Sequence, residues 1–184
     1  MGTDVMNAWT RSPWTDAGQI VAFIDPDGLP GESAGRPPSE WYRRLIAAND
    51  MSGAIEFLAL ALPRYDCIVW VAQALLETGA VDRHDAMMTT VLRWIDNPQD
   101  DLRRRAQAEA IAERRTNAAK LLALAIAYSG GSVAPPDLPP VNVPPESCAK
   151  MASTALIVGV YSLPDPPAAI RKSLDIGEKI VATQ

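Results

Sequence analysis

The sequence predicts an all-α fold, and three observations lead to that class. Apolar residues recur at helical spacing along most of the chain after residue 38. Asp, Asn, Ser, Pro and Gly, which favour helix starts and ends, punctuate these apolar segments. The alternating pattern of half-buried strands is nearly absent. Together these features predict a single compact domain of about seven or eight helices.

Residues 1–38 are expected to form an irregular N-terminal arm, because they are rich in Gly, Pro, Asp and Ser. One apolar run, Ile20–Ile24, fits either a short helix starting at Asp16 or a short strand. Trp9 and Trp14 stand among polar neighbours. Either the arm folds back and buries them, which we favour, or they are exposed anchors for a partner.

The helical domain is expected over residues 39–184. Ser39 is a suitable N-cap for its first helix, and Gly79 a suitable C-terminal residue for its third. Pro63 either ends the second helix or occupies the first turn of the third. The predicted helices cover approximately residues 39–49, 52–62, 65–78, 82–95, 97–115, 117–128, 146–163 and 166–181.

A proline-rich hinge, residues 129–145, separates the last two helices from the others. It begins with Ser129-Gly130-Gly131-Ser132 and contains six prolines between Pro135 and Pro145. Prolines at this density favour an extended, polyproline-like path with unpaired backbone. The hinge could be a ligand for a proline-recognising groove. We instead expect it to pack on its own domain through four apolar side chains: Val133, Leu138, Val141 and Val143.

The charge and composition exclude several functional classes. The formal net charge of −5 disfavours nucleic acids and anionic membrane surfaces as partners. No apolar stretch is long enough to span a bilayer, and no signal peptide is visible, so we expect a cytoplasmic protein. Cys67 and Cys148 should then be reduced. Two separate cysteines and one histidine do not match the common zinc frameworks, and we expect no metal and no cofactor.

Few residues carry recognisable chemistry. His84 lies in a polar helix start and is expected to be a solvated surface residue. Cys67 should be a buried structural thiol. Cys148 opens a helix, where we expect ordinary packing; the alternative is a reactive thiol whose pKa the helix dipole lowers. The sequence Ser129-Gly130-Gly131-Ser132 follows a helix, while phosphate-binding loops precede one, so we interpret it as a helix stop and turn.

Several arginines fall on one predicted helix, interleaved with Glu109 and Glu113. Ion pairs at a spacing of four residues favour a solvated helix face. The alternative is a basic patch for an acidic protein partner, since Arg is enriched at interfaces. Together with the arm tryptophans, the candidate partner-binding residues are Trp9, Trp14, Arg103, Arg104, Arg114 and Arg115.

Three segments resemble a bacterial family of helical domains that has no assigned activity. The first is Phe57–Arg64 followed by Trp70, the second is Ser129–Pro136, and the third is Leu174–Gly177; the likeness spans about residues 39–181. The chain departs from the family pattern at Tyr65-Asp66 and Val71, where relatives tend to have Arg-Glu and Trp. The resemblance implies structural roles for ten residues: Leu62, Pro63, Arg64, Trp70, Ser129, Gly130, Gly131, Ser132, Pro135 and Pro136. It also implies an association with secretion or effector-delivery genes.

These observations favour a non-enzymatic module that binds another protein, as an adaptor, a chaperone or an immunity-type protein. Homo-oligomerisation stays open. A second hypothesis is a small-ligand or lipid binder, with a cavity between helices lined by Met87, Met88, Phe57 and Trp70. A third is an enzyme that uses carboxylates on buried helices, such as Glu56, Asp66 and Glu77.

Overall fold

The computed structural model describes residues 9–27 and 31–183, which form an all-helical fold. The predicted fold class is confirmed, although the helices in the described residues outnumber the prediction because a short helix forms in the arm. In chain order they are α1 (Ala17–Ile24), α2 (Pro38–Ala47), α3 (Met51–Ala61), α4 (Arg64–Thr78), α5 (Ala86–Asp96), α6 (Asp100–Ala112), α7 (Ala118–Ala127), α8 (Ser147–Tyr161) and α9 (Pro166–Ala182).

Side-chain caps explain where many of the helices begin. Before α1, α3, α5, α7 and α9, an Asp or Asn side chain accepts a hydrogen bond from a backbone N–H of the first turn. Such a cap satisfies a donor that has no partner within the helix. The capping residues are Asp16, Asp50, Asp85, Asn117 and Asp165.

Two helices are shorter than the sequence predicted. Helix α5 begins at Ala86, because Asp85 rather than Asp82 provides the cap. Helix α6 covers only Asp100–Ala112, so Arg114 and Arg115 lie beyond its end. The prediction that all the clustered arginines share one helix is therefore wrong.

Helices α4 and α8 form the centre of the domain. Helix α4 contacts α5, α7, α8 and α9, and α8 also contacts α3 and α7. Helices α3 and α7 are apolar on most sides and are almost completely buried. This arrangement places Phe57 and Trp70 in the core without exposed surface. Among the described residues, none of the helices combines the length and hydropathy needed to cross a membrane.

Trp70 fixes the position of α9 against α4. Its indole Nε1–H donates to the backbone carbonyl of Ser173 at 2.7 Å, inside the core. One turn further along α9, Gly177 lies directly against the same ring. A Cβ added at Gly177 would lie 2.6 Å from ring atoms of Trp70. The two helices can approach this closely only because the residue facing the ring has no side chain.

The N-terminal arm folds back on the domain and is not irregular throughout, since it contains α1. Trp9 is only 9% exposed, and its ring centroid lies 5.1 Å from that of Tyr42 and 6.1 Å from that of Phe57. The Trp14 indole N–H donates to the carbonyl of Leu60 at 2.9 Å. The arm is thereby attached to α2 and α3.

Arg11 joins the arm to the last helix. Its backbone N–H donates to the carbonyl of Val181 at 3.1 Å, and its guanidinium donates to the carbonyl of Thr183. These bonds satisfy carbonyls at the end of α9 that have no partner within the helix. The guanidinium also pairs with Asp66 at 2.9 Å, so this part of the arm and the end of α9 are held beside the start of α4.

We predict that Gly177→Ala destabilises the protein by about 1–3 kcal/mol, because overpacking the contact with Trp70 outweighs the higher helix propensity of alanine. Urea unfolding monitored by circular dichroism measures the change. Gly130→Ala is the control, since a Cβ there meets no atom within 4 Å. Unchanged stability in Gly177→Ala would contradict the role given to this contact.

Candidate functional site

The proline-rich hinge forms a defined loop, residues 129–145, which we call the proline loop. Its first residues lie along α6. Side chains from α4 and α6 donate hydrogen bonds to four backbone carbonyls in the first six residues of the loop. We call these four side chains the carbonyl clamp. The bonds run from Arg64 to Ser129 (3.0 Å), from Arg103 to Ser132 (3.1 Å), from Gln107 to Val133 (2.8 Å) and from Arg104 to Ala134 (3.1 Å).

Arg103 is the central member of the carbonyl clamp. Its side chain is 5% exposed, and its Nη1 donates to the carbonyl of Ala127 at the end of α7, at 3.0 Å. Nη2 reaches the loop at Ser132. A buried guanidinium is tolerated only where its charge and donors are paired. Here it connects the start of α6, the end of α7 and the loop.

Asp100 orients two of the clamp arginines. One of its carboxylate oxygens lies 2.7 Å from both Nε and Nη2 of Arg103, and the other lies 2.8 Å from Nε of Arg104. Hydrogen bonds from Arg103 and then Arg104 lower the pKa of Asp100 below its usual value. Because Asp100 opens α6, the positive end of the helix dipole also favours its ionised form.

Gly131 lets the chain turn beneath Arg103. Its φ is +68°, a left-handed conformation that other residues adopt at a cost. A Cβ at this position would also lie 3.2 Å from Nη2 of Arg103. Both the backbone conformation and the close approach of the guanidinium therefore require glycine.

Hydrogen bonds also close the loop on itself. The backbone N–H of Val133 donates to the carbonyl of Val141 at 2.9 Å. The Ser132 hydroxyl oxygen accepts from the N–H of Val141 at 2.9 Å and from that of Ala134 at 3.1 Å. Between these points, the N–H of Leu138 donates to the carbonyl of Pro135 and closes a turn. A loop whose ends meet in this way is an Ω-loop, a compact form that frequently carries function.

Two of the four apolar side chains do not attach the loop as the sequence predicted. Leu138 is 55% exposed and Val141 54% exposed, whereas Val133 and Val143 are half-buried. Polar side chains bound to backbone carbonyls hold the loop instead. Its tip consequently presents two large apolar side chains to solvent on a base that is fixed to the domain.

The arginine candidates divide into two groups. Arg103 and Arg104 belong to the carbonyl clamp, and Arg103 is buried, so neither is a free surface cation. Arg114 and Arg115 are exposed in the segment after α6. The sequence did not identify Asp100 and Gln107 as partners of the loop, because they are about thirty residues from it in the chain and only the fold brings them together.

Trp9 and Trp14 are not exposed anchors. Trp9 is part of the core, so its candidate role as a partner contact is corrected. Trp14 is half-buried and lines a cleft of about 210 Å³, which we call the arm cleft. The cleft is formed by the arm, the junction between α3 and α4, and the start of α8. Its lining includes Pro13, Trp14, Phe23, Leu60, Pro63 and Arg64.

The segments that carry the family resemblance contact one another in space. Arg64, from the first segment, donates to the carbonyl of Ser129, which opens the second. Trp70 donates to Ser173, and its ring contacts Gly177 at the third segment. Leu62 is buried, and Pro63 precedes the first residue of α4 as its N-cap. Pro135 and Pro136 lie in the exposed turn of the loop.

The two cysteines are both completely buried. Burial raises the pKa of Cys67 well above its usual value and raises that of Cys148 to about 12. The expected packing of Cys148 at the helix start is confirmed. The alternative, a pKa lowered by the helix dipole, is wrong, because desolvation disfavours the thiolate. Arg64 opposes this shift without reversing it.

The carboxylates considered for catalysis do not converge. Asp66 pairs with Arg11 in the first turn of α4, while Glu77 lies in the last turn, roughly 16 Å away along the helix axis. His84 is exposed in the turn before α5. Over residues 9–27 and 31–183, no group of three or more His, Cys, Asp or Glu side chains is placed to hold a metal ion.

The cavity considered for a small ligand is filled by protein. Phe57, Trp70 and Met88 are fully buried and belong to the hydrophobic core. Met87 is half-buried and packs against that core. A ligand would therefore require another site, and the arm cleft is the apolar cleft that lies beside the proline loop.

We predict that Arg103→Lys lowers the free energy of unfolding by about 2–4 kcal/mol. Lysine keeps the charge, but one ammonium group cannot bond at the same time to the two carbonyls, of Ala127 and Ser132, and to the carboxylate of Asp100. Urea unfolding measures the stability, and hydrogen exchange of residues 131–141 measures the order of the loop. Arg105→Lys is the matched control, since Arg105 is 53% exposed and pairs only with Glu109. Equal effects of the two substitutions would contradict the clamp.

We also predict that Asp100 makes stability depend on pH. Its folded-state pKa is lowered, so the ionised carboxylate stabilises the fold above the ordinary carboxyl pKa of about 3.9, and this contribution is lost as pH falls through the folded pKa. The stability difference between the wild type and Asp100→Asn should be largest near neutral pH and vanish in acid. Asp101→Asn, which removes a neighbouring exposed carboxylate, should show a smaller difference.

The comparisons with known proteins identify a family. The sequence matches the family of unknown function DUF6931 over residues 41–181, nearly the range of the resemblance. Neither the curated proteins nor the solved structures give a significant match. The matched range covers α3 to α8 completely and includes the carbonyl clamp and the whole proline loop. The chain therefore belongs to the DUF6931 family.

Proposed function

We propose that this protein is a non-enzymatic interaction module that binds another protein through the tip of the proline loop. One observation carries this proposal: Leu138 and Val141 are more than half exposed on a loop whose base is fixed by the carbonyl clamp. Exposed apolar side chains that a fold holds in place are typical of contact surfaces.

The construction of the loop suits binding. Association costs conformational entropy when a segment must become ordered, and a segment that is already ordered avoids most of that cost. Three features restrict the free loop: the turn at Pro135–Leu138, the hydrogen bond from Val133 to Val141, and the six prolines. The two apolar side chains can then be buried against a partner without first ordering the backbone.

The groups that could support catalysis have other roles. The thiols are buried and protonated, and Asp66 is engaged by Arg11. These observations favour binding over catalysis. The proposal includes a bacterial, cytoplasmic setting and a role as an adaptor, a chaperone or an immunity-type protein. It also includes the link to secretion or effector delivery that the resemblance implied.

We predict that the double substitution Leu138→Ser and Val141→Ser abolishes capture of a stoichiometric partner when the tagged protein is purified from its native host. Both side chains are exposed, so the fold should be retained. Tyr161→Ser is the matched control: Tyr161 is 59% exposed at the far end of α8, roughly 20 Å from the loop. Quantitative mass spectrometry reports the captured protein. Capture that survives the double substitution would show that the loop tip is not the binding surface.

A further inference from the structure

We propose that the arm cleft binds the proline loop of a second copy of this chain. This inference rests on the proposed role of the loop as a binding element. It adds the receptor site, and it makes a second copy of this chain an occupant that competes with a host partner for the same loop. The chain carries both halves of the contact, an apolar cleft and an exposed apolar loop, and neither is filled by the other within one molecule.

The lining of the arm cleft has the chemistry of a proline-recognising groove. The rings of Trp14 and Phe23 lie 5.7 Å apart between centroids, with an interplanar angle of 58°, and both residues are half-buried. Pro13 and Pro63 complete the apolar surface around them. Aromatic-lined grooves dock proline-rich segments, and a segment whose backbone is already ordered loses little entropy on binding.

The loop provides an exposed apolar segment that is small enough to enter the cleft. Leu138 at the turn is followed directly by Pro139 and Pro140, all of them exposed. The cleft volume of about 210 Å³ is several times the roughly 30 Å³ share of one water molecule. It therefore has room for an aliphatic side chain and a proline ring.

Charge selects the orientation of the contact. Residues 133–149 contain no Lys or Arg, and Asp137 precedes the exposed Leu138. Arg64 is exposed at the edge of the cleft, while Glu146 also contributes to its lining. The favoured orientation places Asp137 of one copy beside Arg64 of the other and away from Glu146.

The positions of loop and cleft allow a closed dimer. Pro145, at the end of the loop, lines the cleft of its own molecule, so the two elements lie side by side on one face. Two copies related by a two-fold axis can then exchange loops, each entering the cleft of the other. In such an isologous contact each copy presents the same surface to the other. No binding surface is left for a third copy, so the assembly stops at a dimer.

Sedimentation velocity of the full chain over a concentration series tests this inference. We expect a reversible monomer–dimer equilibrium. Leu138→Ser should weaken the dimer at least about tenfold, because two exposed leucines lose their burial per dimer. Tyr161→Ser should leave the dissociation constant unchanged. Phe23→Ser, which alters the cleft, should weaken the dimer in the same way.

Mixing the two weakened variants sharpens the test. In a mixed dimer, the loop of the Phe23→Ser copy meets the intact cleft of the Leu138→Ser copy, so one complete contact is restored. Effects of residues that touch each other are not additive, and the mixture should therefore associate more tightly than either variant alone.

Three results would overturn the inference. The first is a chain that stays monomeric at every concentration, and the second is a dimer that Leu138→Ser does not weaken. The third is a small molecule that co-purifies in the arm cleft, detected by native mass spectrometry and lost in Phe23→Ser. The proposed function fails separately, only if the loop double variant still captures the host partner.

Discussion

The buried guanidinium of Arg103 is the interaction on which the candidate site depends. It joins the first turn of α6, the last carbonyl of α7 and the first carbonyls of the proline loop. A planar group with several donors can satisfy three elements at once, which an ammonium group cannot. Asp100 supplies the opposing charge, and its contacts with Nε and Nη2 orient the guanidinium of Arg103. The requirement for glycine at position 131 follows from the same geometry.

Fixing the loop by its backbone has a consequence for its side chains. When carbonyl oxygens are the points of attachment, Leu138 and Val141 are not needed to hold the loop and can face solvent. The loop is an ordered projection rather than a flexible linker. Hydrogen bonds from α6 hold its base, and hydrogen bonds between its own residues close it. The long connection between α7 and α8 thereby presents an apolar surface that a partner could contact.

The core supports this surface from the other side. Trp70 holds α9 to α4, and Arg11 holds the arm to the end of α9 and to Asp66. The arm brings Trp14 and Phe23 next to the α3–α4 junction, where Arg64 contributes both to the carbonyl clamp and to the arm cleft. The clamp and the cleft therefore share one residue and one face of the domain.

The sequence by itself determined the helical class, most helix starts and the break at the proline loop. These features are local: an Asp or Asn cap, a helix-ending glycine and a helical apolar period act within a few residues. The tertiary structure decided that Trp9 is buried, that Arg103 binds the loop carbonyl of Ser132 and that Leu138 and Val141 stay exposed. It also decided the pKa of Cys148, since burial depends on neighbours from other helices. A charged residue in a helix has the same local pattern whether it faces solvent or a distant carbonyl, and only packing distinguishes the two.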